Sequence, residues 1–401
     1  MFLHVPETLS RRENESERAN SNGNSNKNEN SGSTKREPAL SLVFFVTGNP
    51  GLISYYHTFL SLIVARITAE SERTTGPVVV AGFSLAGFEV GVTPDGGRGE
   101  GYEDEILGLL YPSAGDGHHH KGMYGLKEQL DLTLQRIEGL VRRLREDYDG
   151  VVEGQRPTKV ILVGHSLGTY ISLELVRLWH ERYGALSPAE TEWEVSAAIL
   201  LTPTIIDLAK SPSGRLAAPV LGNLPFVPDL GQTLARGLSA LPSSWLEVLV
   251  QRITGMQGPA LQTTMSFLRR PRIVKQALYL ARDELQEIDK DKWGPEVWDD
   301  GVEVGPVRTV PSPALYLWFA KKDHWVADVT REEICNRRGG ITDGQKEWKD
   351  HPLLDYGKRR PTIRVDENEG LVHAWCIGQS DLVAGRVFAW LQEIWTRNGL
   401  L

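Results

Sequence analysis

A serine flanked by glycines lies between an apolar run and an amphipathic run of the sequence. Residues 159–163 (Lys-Val-Ile-Leu-Val) lead directly into Gly-His-Ser-Leu-Gly at 164–168, and a helical pattern follows. A G-x-S-x-G sequence between a strand and a helix is typical of a nucleophile elbow, a sharp turn that exposes the serine hydroxyl. Gly164 and Gly168 let the strand and the helix approach each other closely. We therefore predict that Ser166 is a catalytic nucleophile.

A serine that attacks a carbonyl group needs hydrogen-bond donors for the negative charge that develops on oxygen. One donor in such turns is the backbone N–H of the following residue, here Leu167. The second comes from the loop after the first core strand, here Thr-Gly-Asn-Pro-Gly at 47–51. Because Pro50 has no N–H, Asn49 is the predicted second donor, and Gly48 permits close backbone approach. An ordinary Pro-Gly turn is the alternative interpretation.

The general base and the acid are predicted from their order along the chain. Proteins with this serine turn carry the serine first, then an aspartate or glutamate, then the histidine. His373, in the loop after the last predicted strand, is the predicted base, and Asp323 is the predicted acid that orients its imidazole. Asp328 and Asp207 remain alternative acids, the second because some serine hydrolases place the acid after the preceding strand. His165 is interpreted as a packing residue.

Three consecutive histidines, His118, His119 and His120, are the other concentration of side chains that could bind a ligand. Three adjacent residues of a regular segment cannot all point at one ion, and no set of cysteines or carboxylates accompanies them. We therefore predict neither a metal ion nor a cofactor.

Short apolar runs alternate with longer helical patterns from residue 40 onwards. The predicted strands are 42–46, 78–83, 159–163, 195–201, 314–319 and 362–365. The predicted helices are 52–69, 126–147, 167–183 and 380–397. This alternation indicates the α/β class, with a parallel sheet covered by helices on both faces. The serine, the acid and the base would each follow a strand.

Two segments depart from the alternation. Residues 11–37 hold one apolar residue and seven asparagines in 27 positions, so 1–38 is predicted to be a disordered tail. Residues 203–310 show no convincing strand, and within them 208–246 carry only four charged residues in 39 positions. We predict that 203–310 is a mostly helical insertion with an apolar surface (the cap). The remainder forms the predicted catalytic domain, 39–202 with 311–401.

Composition and charge limit the classes of function. The formal net charge of the 401 residues is −8, so general attraction to nucleic acid is not expected. Two cysteines are too few for a disulfide framework and suit a reducing compartment. The N-terminal residues lack the pattern of a signal peptide, and no apolar run predicts a transmembrane helix. An intracellular enzyme is the simplest expectation.

Several motifs together resemble the lipid droplet-associated hydrolases, a family within the α/β-hydrolases. The matching stretches are Val-Thr-Gly-Asn-Pro-Gly-Leu-Ile-Ser-Tyr-Tyr-His-Thr-Phe at 46–59, Tyr-Gly-Leu-Lys-Glu-Gln-Leu at 124–130, Gly-His-Ser-Leu-Gly-Thr-Tyr-Ile at 164–171, Ser-Pro-Ser-Gly-Arg at 211–215, Asp-His-Trp-Val at 323–326 and His-Ala at 373–374. The pairing of G-N-P-G with G-H-S-L-G is much more specific than either motif alone.

The resemblance implies an α/β-hydrolase fold, a mostly parallel sheet flanked by helices. It also implies a serine esterase or lipase that cleaves hydrophobic lipid esters, such as sterol or acylglycerol esters, at lipid droplets and the cytosolic face of endoplasmic-reticulum membranes. It carries over Ser166, Asp323 and His373 as the catalytic triad, and Asn49 with Leu167 as the oxyanion donors.

The low content of charged residues in 208–246 indicates how such a protein would reach a lipid substrate. We expect this segment to insert shallowly into the lipid-droplet monolayer. A lid packed on the catalytic domain and a dimer contact are the alternatives for this segment, and the oligomeric state is left open.

Two alternative functions remain for the protein as a whole. They are a catalytically weak droplet-binding scaffold and an acyltransferase that uses the same acyl-enzyme.

Overall fold

The sheet of this protein contains eight strands in the part of the chain that the structure describes. The strands are β1 Phe2–His4, β2 Ser41–Val46, β3 Val78–Phe83, β4 Thr158–His165, β5 Trp193–Leu201, β6 Ala314–Phe319, β7 Ile341–Thr342 and β8 Thr362–Val365. Their spatial order is β1-β3-β2-β4-β5-β6-β8-β7, and every neighbouring pair is parallel except β1 with β3. The six predicted strands are confirmed.

The computed structural model describes residues 1–6, 40–70, 76–89, 122–149, 156–187, 190–298, 312–339, 341–342 and 360–401. The three consecutive histidines, His118, His119 and His120, lie outside these ranges.

The central strands are buried on both faces because their side chains alternate between two hydrophobic clusters. In β2, Leu42, Phe44 and Val46 join one cluster, whereas Val43 and Phe45 join the other. Successive side chains of a strand point to opposite faces of a sheet. A strand with helices on both sides therefore needs a continuous apolar run, which is the pattern that the sequence shows.

Helices supply the two faces. They are α1 His57–Ala69, α2 Leu126–Asp149, α3 Leu167–Tyr183, α4 Pro212–Asn223, α5 Val227–Ser239, α6 Ser243–Thr254, α7 Gly258–Leu268, α8 Pro271–Glu287, α9 Pro295–Trp298, α10 Asp328–Arg338 and α11 Ser380–Arg397. Helices α1 and α11 cover one face of the sheet, and α2 and α3 cover the other. The four predicted helices are confirmed, with a 3-10 turn at Ile53–Tyr56 before α1. Among the described helices, none is long and apolar enough to cross a membrane.

The cap is helical over its described part, 203–298, which contains α4 to α9. Ser211 begins α4 by accepting the Gly214 N–H at 2.9 Å, a standard N-cap. Helix α8 buries Ile273 and Leu280 in the same core as α2 and α3. Helices α6 and α7 share a separate small core of Leu246, Val250, Leu261 and Met265. Helix α8 is therefore one of the cap elements that pack against the rest of the protein, together with Val297 and Trp298 of α9.

The extreme N-terminus is ordered, and the prediction of a disordered tail over 1–38 is wrong for residues 2–4. Phe2 and His4 pair with Gly82 and Val80 of β3 in antiparallel register. Without β1, β3 would be an edge strand with unpaired backbone groups, and three extended residues are enough to cover it. The asparagine-rich remainder of the tail lies outside the described residues.

The loops with the predicted site residues meet at one edge of the sheet. Ser166 follows β4, the loop of Asp323 follows β6, and the loop of His373 follows β8. These strands are parallel, so their carboxyl ends share the edge at which open parallel sheets bind ligands. The mostly parallel sheet, covered by helices and carrying a serine turn after a central strand, confirms the predicted α/β-hydrolase fold.

Candidate active site

Ser166 lies on a strained turn between β4 and α3. Its backbone angles are φ 52° and ψ −123°, a region that non-glycine residues rarely adopt and that the surrounding structure must enforce. A Cβ atom on Gly164 would collide with the Gly168 carbonyl, and one on Gly168 would collide with the Val46 carbonyl. Both glycines are therefore needed for the strand and the helix to approach this closely.

His373 connects the serine to a buried carboxylate. Its Nε2 lies 2.9 Å from Ser166 Oγ, and its Nδ1 lies 2.9 Å from Asp323 Oδ2. The Asp323 side chain is only 2% exposed, and its Oδ1 accepts the Trp325 N–H at 2.7 Å. Because a carboxylate only accepts, Nδ1 carries the proton, and the neutral Nε2 accepts from the serine hydroxyl. A continuous series of hydrogen bonds thus runs from the carboxylate to the hydroxyl.

The loop after β2 passes directly beside the serine. A Cβ atom on Gly48 would lie 3.0 Å from Ser166 Cβ, so glycine permits this close approach. Among the described residues, neither the Asn49 N–H nor the Leu167 N–H has a hydrogen-bond acceptor. The Leu167 N–H also begins α3, where the helix dipole favours negative charge. The region around Ser166 therefore contains two unoccupied backbone donors.

The side chain of Asn49 binds the cap. Its Nδ2 donates to the Ala277 carbonyl at 3.0 Å and to Glu284 Oε1 at 2.7 Å, both on α8. Both hydrogens of this amide nitrogen are used, so the donor that Asn49 could offer a substrate is its backbone N–H. Burial raises the pKa of Glu284 to about 8, the Asn49 hydrogen bond opposes this shift, and the charge of Asp283 adds to it.

His165 joins the two sides of the site through both ring nitrogens. Its Nε2 lies 2.8 Å from the His373 carbonyl oxygen, which only accepts, so Nε2 carries the proton and donates. Nδ1 then accepts the Tyr56 hydroxyl at 2.7 Å, and that hydroxyl accepts the Gly48 N–H at 3.2 Å. Three hydrogen bonds therefore link the loop beside Ser166 to the backbone of His373. His165 is not placed to act as the base.

The environment of His165 keeps its ring neutral. Burial lowers the pKa of His165 to about 3, and the neighbouring His373 lowers it as well. A neutral His165 leaves no positive charge to oppose an imidazolium forming on His373, whose ring centroid is 5.4 Å away. The buried histidine can thus support the second one without repelling its charged form.

Replacing Tyr56 by phenylalanine tests this series of hydrogen bonds. The phenylalanine ring keeps the contacts with Phe45 and Trp375 but leaves the Gly48 N–H and His165 Nδ1 without their partner. Unsatisfied buried groups cost about 1–3 kcal/mol each, so for the two groups we expect Tyr56→Phe to lower the free energy of unfolding by about 2–6 kcal/mol. Urea denaturation measures the change.

The control for this variant is Tyr279→Phe, a change of the same type at an exposed position of α8. It should stay within about 0.5 kcal/mol of the wild type, as surface substitutions usually do. Equal free energies of unfolding for the two variants would contradict the role of the Tyr56 hydroxyl.

The alternative acids have partners of their own. Asp207 pairs with Lys210 at 2.8 Å, and Asp328 pairs with Arg331 at 2.8 Å with its side chain 73% exposed. Of the three carboxylates considered, Asp323 is the one that contacts His373.

Glu284 is a part of the site's surroundings that the sequence analysis missed, although a signal was present. Helix α8 buries Ile273, Gln276, Leu280 and Glu284 along one face. A carboxylate at an apolar-stripe position of a helix is unusual enough to mark a candidate functional residue. The roles of Tyr56 and His165 had no comparable signal, since their partners are distant in sequence.

Comparison with known proteins finds relatives along most of the chain. The sequence model of a family described as lipid-droplet associated hydrolase matches residues 40–376. A mouse protein named lipid droplet-associated hydrolase is 25% identical over 324 residues, which cover 80% of this chain and 82% of the relative. The chicken protein of that name is 27% identical over 367 residues, covering 91% of this chain and 88% of the relative. The family match includes every site residue described above.

Two solved structures are also similar to this chain, at low sequence identity. A peroxisomal α/β-hydrolase of Saccharomyces cerevisiae is 13% identical with a TM-score of 0.47, covering 90% of this chain and 79% of that one. A thioesterase from the prodiginine biosynthetic pathway of Streptomyces coelicolor is 14% identical with a TM-score of 0.39, covering 90% and 96%. Likeness at this level concerns the fold alone.

Proposed function

This chain belongs to the lipid-droplet associated hydrolase family, and on that premise we propose that it hydrolyses carboxylic esters of hydrophobic lipids at the lipid-droplet surface. Ser166 is the nucleophile, His373 is the general base and acid, and Asp323 orients the imidazole. The observation that carries the proposal is the contact of His373 with both neighbours, 2.9 Å to each. Hydrolysis belongs to the family as named, whereas the ester substrate and the three residue roles are our proposal.

The proposed reaction proceeds in two acyl transfers. Ser166 Oγ attacks the ester carbonyl carbon while its proton moves to His373 Nε2, and the imidazolium is stabilised by Asp323. The carbonyl bond re-forms as the alcohol leaves with the proton from Nε2. Water then attacks the acyl-serine, again giving a proton to His373, and the fatty acid is released as Ser166 recovers its proton.

The two backbone donors beside the serine suit the charge that this reaction develops. Each attack turns the carbonyl oxygen into an oxyanion, which needs donors fixed in advance. We assign this role to the N–H groups of Asn49 and Leu167, neither of which has an acceptor in the described chain. The loop's position against Ser166, through Gly48, supports this assignment.

The cap presents an apolar surface that supports contact with lipid. Ten large apolar side chains of α4 to α6 and their connections are exposed: Leu216, Val220, Leu224, Phe226, Leu230, Leu234, Trp245, Val248, Leu249 and Ile253. This surface continues beyond the predicted limit of 208–246 to the end of α6. Large apolar patches on a protein surface mark an interaction site.

A lipid monolayer is the partner that we propose for this surface. The family and the relatives are named for lipid droplets, whose surface is a monolayer over neutral lipid esters. The side chains are exposed in the single chain, which does not favour a lid packed on the catalytic domain. Location at the endoplasmic reticulum rests on the sequence resemblance alone and stays a prediction.

Removing apolar side chains from this surface should weaken binding to droplets. Burying one large apolar side chain contributes about 1.5–3 kcal/mol. Serine substitutions at Leu216, Phe226, Trp245 and Ile253 together should therefore reduce partitioning at least about 100-fold, even if insertion is shallow. Flotation with phospholipid-coated triolein droplets measures the bound fraction.

The control for this variant is Val329→Ser, which removes a 60% exposed apolar side chain from α10. Labelling of Ser166 by a soluble fluorophosphonate checks that the fourfold variant is folded. Unchanged flotation of the fourfold variant would contradict insertion of the cap. A change from dimer to monomer in light scattering, with flotation intact, would assign the surface to a second copy of the chain instead.

Product analysis tests the proposed reaction. Purified protein on a cholesteryl oleate or triolein emulsion should release one fatty acid for each ester bond cleaved, and the Ser166→Ala variant should release none above background. Acyl groups appearing on added sterol or glycerol instead of in free fatty acid would indicate an acyltransferase. Droplet binding without ester cleavage or serine labelling would indicate a scaffold.

A further inference from the structure

Glu284 is a buried carboxyl group that the proposed hydrolysis does not use. It lies on cap helix α8, is 7% exposed, and accepts a hydrogen bond from Asn49 Nδ2 at 2.7 Å. The same Nδ2 donates to the Ala277 carbonyl two turns earlier on the helix, at 3.0 Å. The loop that carries a proposed oxyanion donor is thus held at two points by the cap.

Helix α8 is itself fixed to the catalytic domain, so it can act as a support. Asp283 Oδ2 accepts the Leu126 N–H at the start of α2, at 2.5 Å. The Gln276 amide accepts the Tyr124 N–H at 2.9 Å and donates to the Tyr124 carbonyl at 2.7 Å. Both Gln276 and Asp283 precede Glu284 on the same helix. Asn49 is therefore attached to a helix that cannot shift without breaking several hydrogen bonds.

We propose that Glu284 is a positioning residue that holds the Asn49 loop in the geometry needed for oxyanion binding, so that the cap supports catalysis as well as contact with lipid. This inference rests on the proposed ester hydrolysis. The donor must lie within hydrogen-bond distance of the developing oxyanion, and a misplacement of about 1 Å can cost 100-fold in rate. A fixed support for the loop thus has a direct catalytic consequence.

The protonation state of Glu284 adds a pH dependence that the triad does not supply. Burial raises the pKa of Glu284 to about 8, so at neutral pH the group is an uncharged acceptor for Asn49. The charged group of the described chain that acts on it is Asp283 of the same helix, while the Asn49 loop contributes a neutral amide. Above pH 8, ionisation places a negative charge beside the loop at which the substrate oxyanion would form.

The sign of the expected pH effect follows from these charges. Two negative charges in a site of low dielectric repel each other, so the rate should fall as pH rises through about 8. A decline near pH 8 that is absent from a variant unable to ionise at position 284 would therefore be assigned to Glu284.

Two substitutions at Glu284 separate the hydrogen bond from the charge. Glu284→Gln keeps an oxygen acceptor for Asn49 but cannot ionise, whereas Glu284→Ala removes both. Glu287→Gln, on the exposed side of the same helix, is the matched control. The measurements are kcat and KM for a soluble p-nitrophenyl ester, and the rate of Ser166 labelling by a fluorophosphonate, from pH 6 to 10.

The expected result is a loss of kcat of about 10–100-fold in Glu284→Ala at neutral pH, with KM changed less than about threefold. Glu284→Gln should recover most of that loss and should lack the decline near pH 8 that the wild type and Glu287→Gln show. Thermal melts establish that each variant is folded. If Glu284→Ala does not fold, Asn49→Ala takes its place, because it removes the other partner of the same hydrogen bond and keeps the backbone N–H of residue 49.

Specific outcomes would overturn this inference. Wild-type kcat in Glu284→Ala would exclude a positioning role. A decline near pH 8 that persists in Glu284→Gln would exclude the effect of charge at this position. Both outcomes leave the proposed hydrolysis intact. A wild-type protein that neither turns over the ester nor labels at Ser166 would overturn both proposals together.

Discussion

Replacing Ser166 by alanine should abolish labelling by a fluorophosphonate probe and lower ester turnover by about 10⁴–10⁶-fold. The probe reacts only with a serine whose hydroxyl is activated by a neighbouring base. In this chain the proposed base is His373, whose Nε2 lies 2.9 Å from Ser166 Oγ. Alanine removes the atom that would form the acyl-enzyme, while the proposed oxyanion donors and the apolar surface of the cap remain.

The size of this loss follows from how a serine, a histidine and a carboxylate work together. Removing the serine or the histidine disables the covalent route, and the remaining members then contribute little. A 10⁴–10⁶-fold loss corresponds to about 5–8 kcal/mol of transition-state stabilisation. The residual rate would come from the N–H groups of Asn49 and Leu167 acting on a bound ester without a nucleophile.

The control for Ser166→Ala is Ser196→Ala, which removes a hydroxyl from the neighbouring strand β5, where it donates to the Val160 carbonyl at 3.2 Å. Both proteins should have similar melting temperatures, since alanine at position 166 changes neither the backbone nor its neighbours. The assignment of the nucleophile would be refuted if Ser166→Ala kept more than a few per cent of the wild-type turnover. It would also be refuted if the variant were still labelled by the probe to that extent.

The fold was predictable because its signals are local. Strands β2 to β6 are mostly apolar runs, β8 is a short β-branched segment, and helices α1, α2, α3 and α11 have apolar stripes, so each could be recognised without its neighbours. Strand β1 was missed because three residues are too few to show periodicity. Its existence depends on pairing with β3, in which His4 pairs with Val80 and Phe2 with Gly82. Contacts between residues so far apart in the chain have no local sequence signal.

The predicted site residues lie together in the structure for a similar reason. Ser166 could be found from the turn that strains it, and the parallel sheet brings the loops after β6 and β8 to the same edge. The contacts that surround these residues could not be found in this way. Tyr56 and His165 are 109 positions apart, and Asn49 and Glu284 are 235 apart. A hydrogen bond across such a distance depends on how the cap and the loops pack, which periodicity does not specify.

Replacing Asp323 by asparagine should lower kcat by about 10⁴-fold while leaving the fold and the serine in place. The substitution is nearly isosteric, and the side chain is 2% exposed, so the amide must take up the position of the carboxylate. Two donors point at that position: the Trp325 N–H at 2.7 Å from Oδ1, and His373 Nδ1 at 2.9 Å from Oδ2.

The backbone N–H of Trp325 determines which way the asparagine faces. A backbone N–H can only donate a hydrogen bond, so it binds the single amide oxygen of the asparagine. The amide NH₂ then faces His373. Nδ1 must then accept a hydrogen bond, and the imidazole proton moves to Nε2. In that tautomer Nε2 cannot accept the Ser166 proton, which is why a change of one atom should disable the base without displacing it.

Asp328→Asn is the matched control, because Asp328 was an alternative acid and its side chain is 73% exposed with Arg331 as its partner. It should keep wild-type kcat. The tautomer argument also predicts that the proton of His373 moves from Nδ1 to Nε2 in Asp323→Asn, which ¹⁵N NMR of the labelled imidazole detects directly. A kcat within tenfold of the wild type, or an unchanged tautomer, would contradict the role of Asp323 and return Asp207 and Asp328 to consideration. A loss of kcat accompanied by the tautomer change would show that the carboxylate acts through the orientation and protonation of His373.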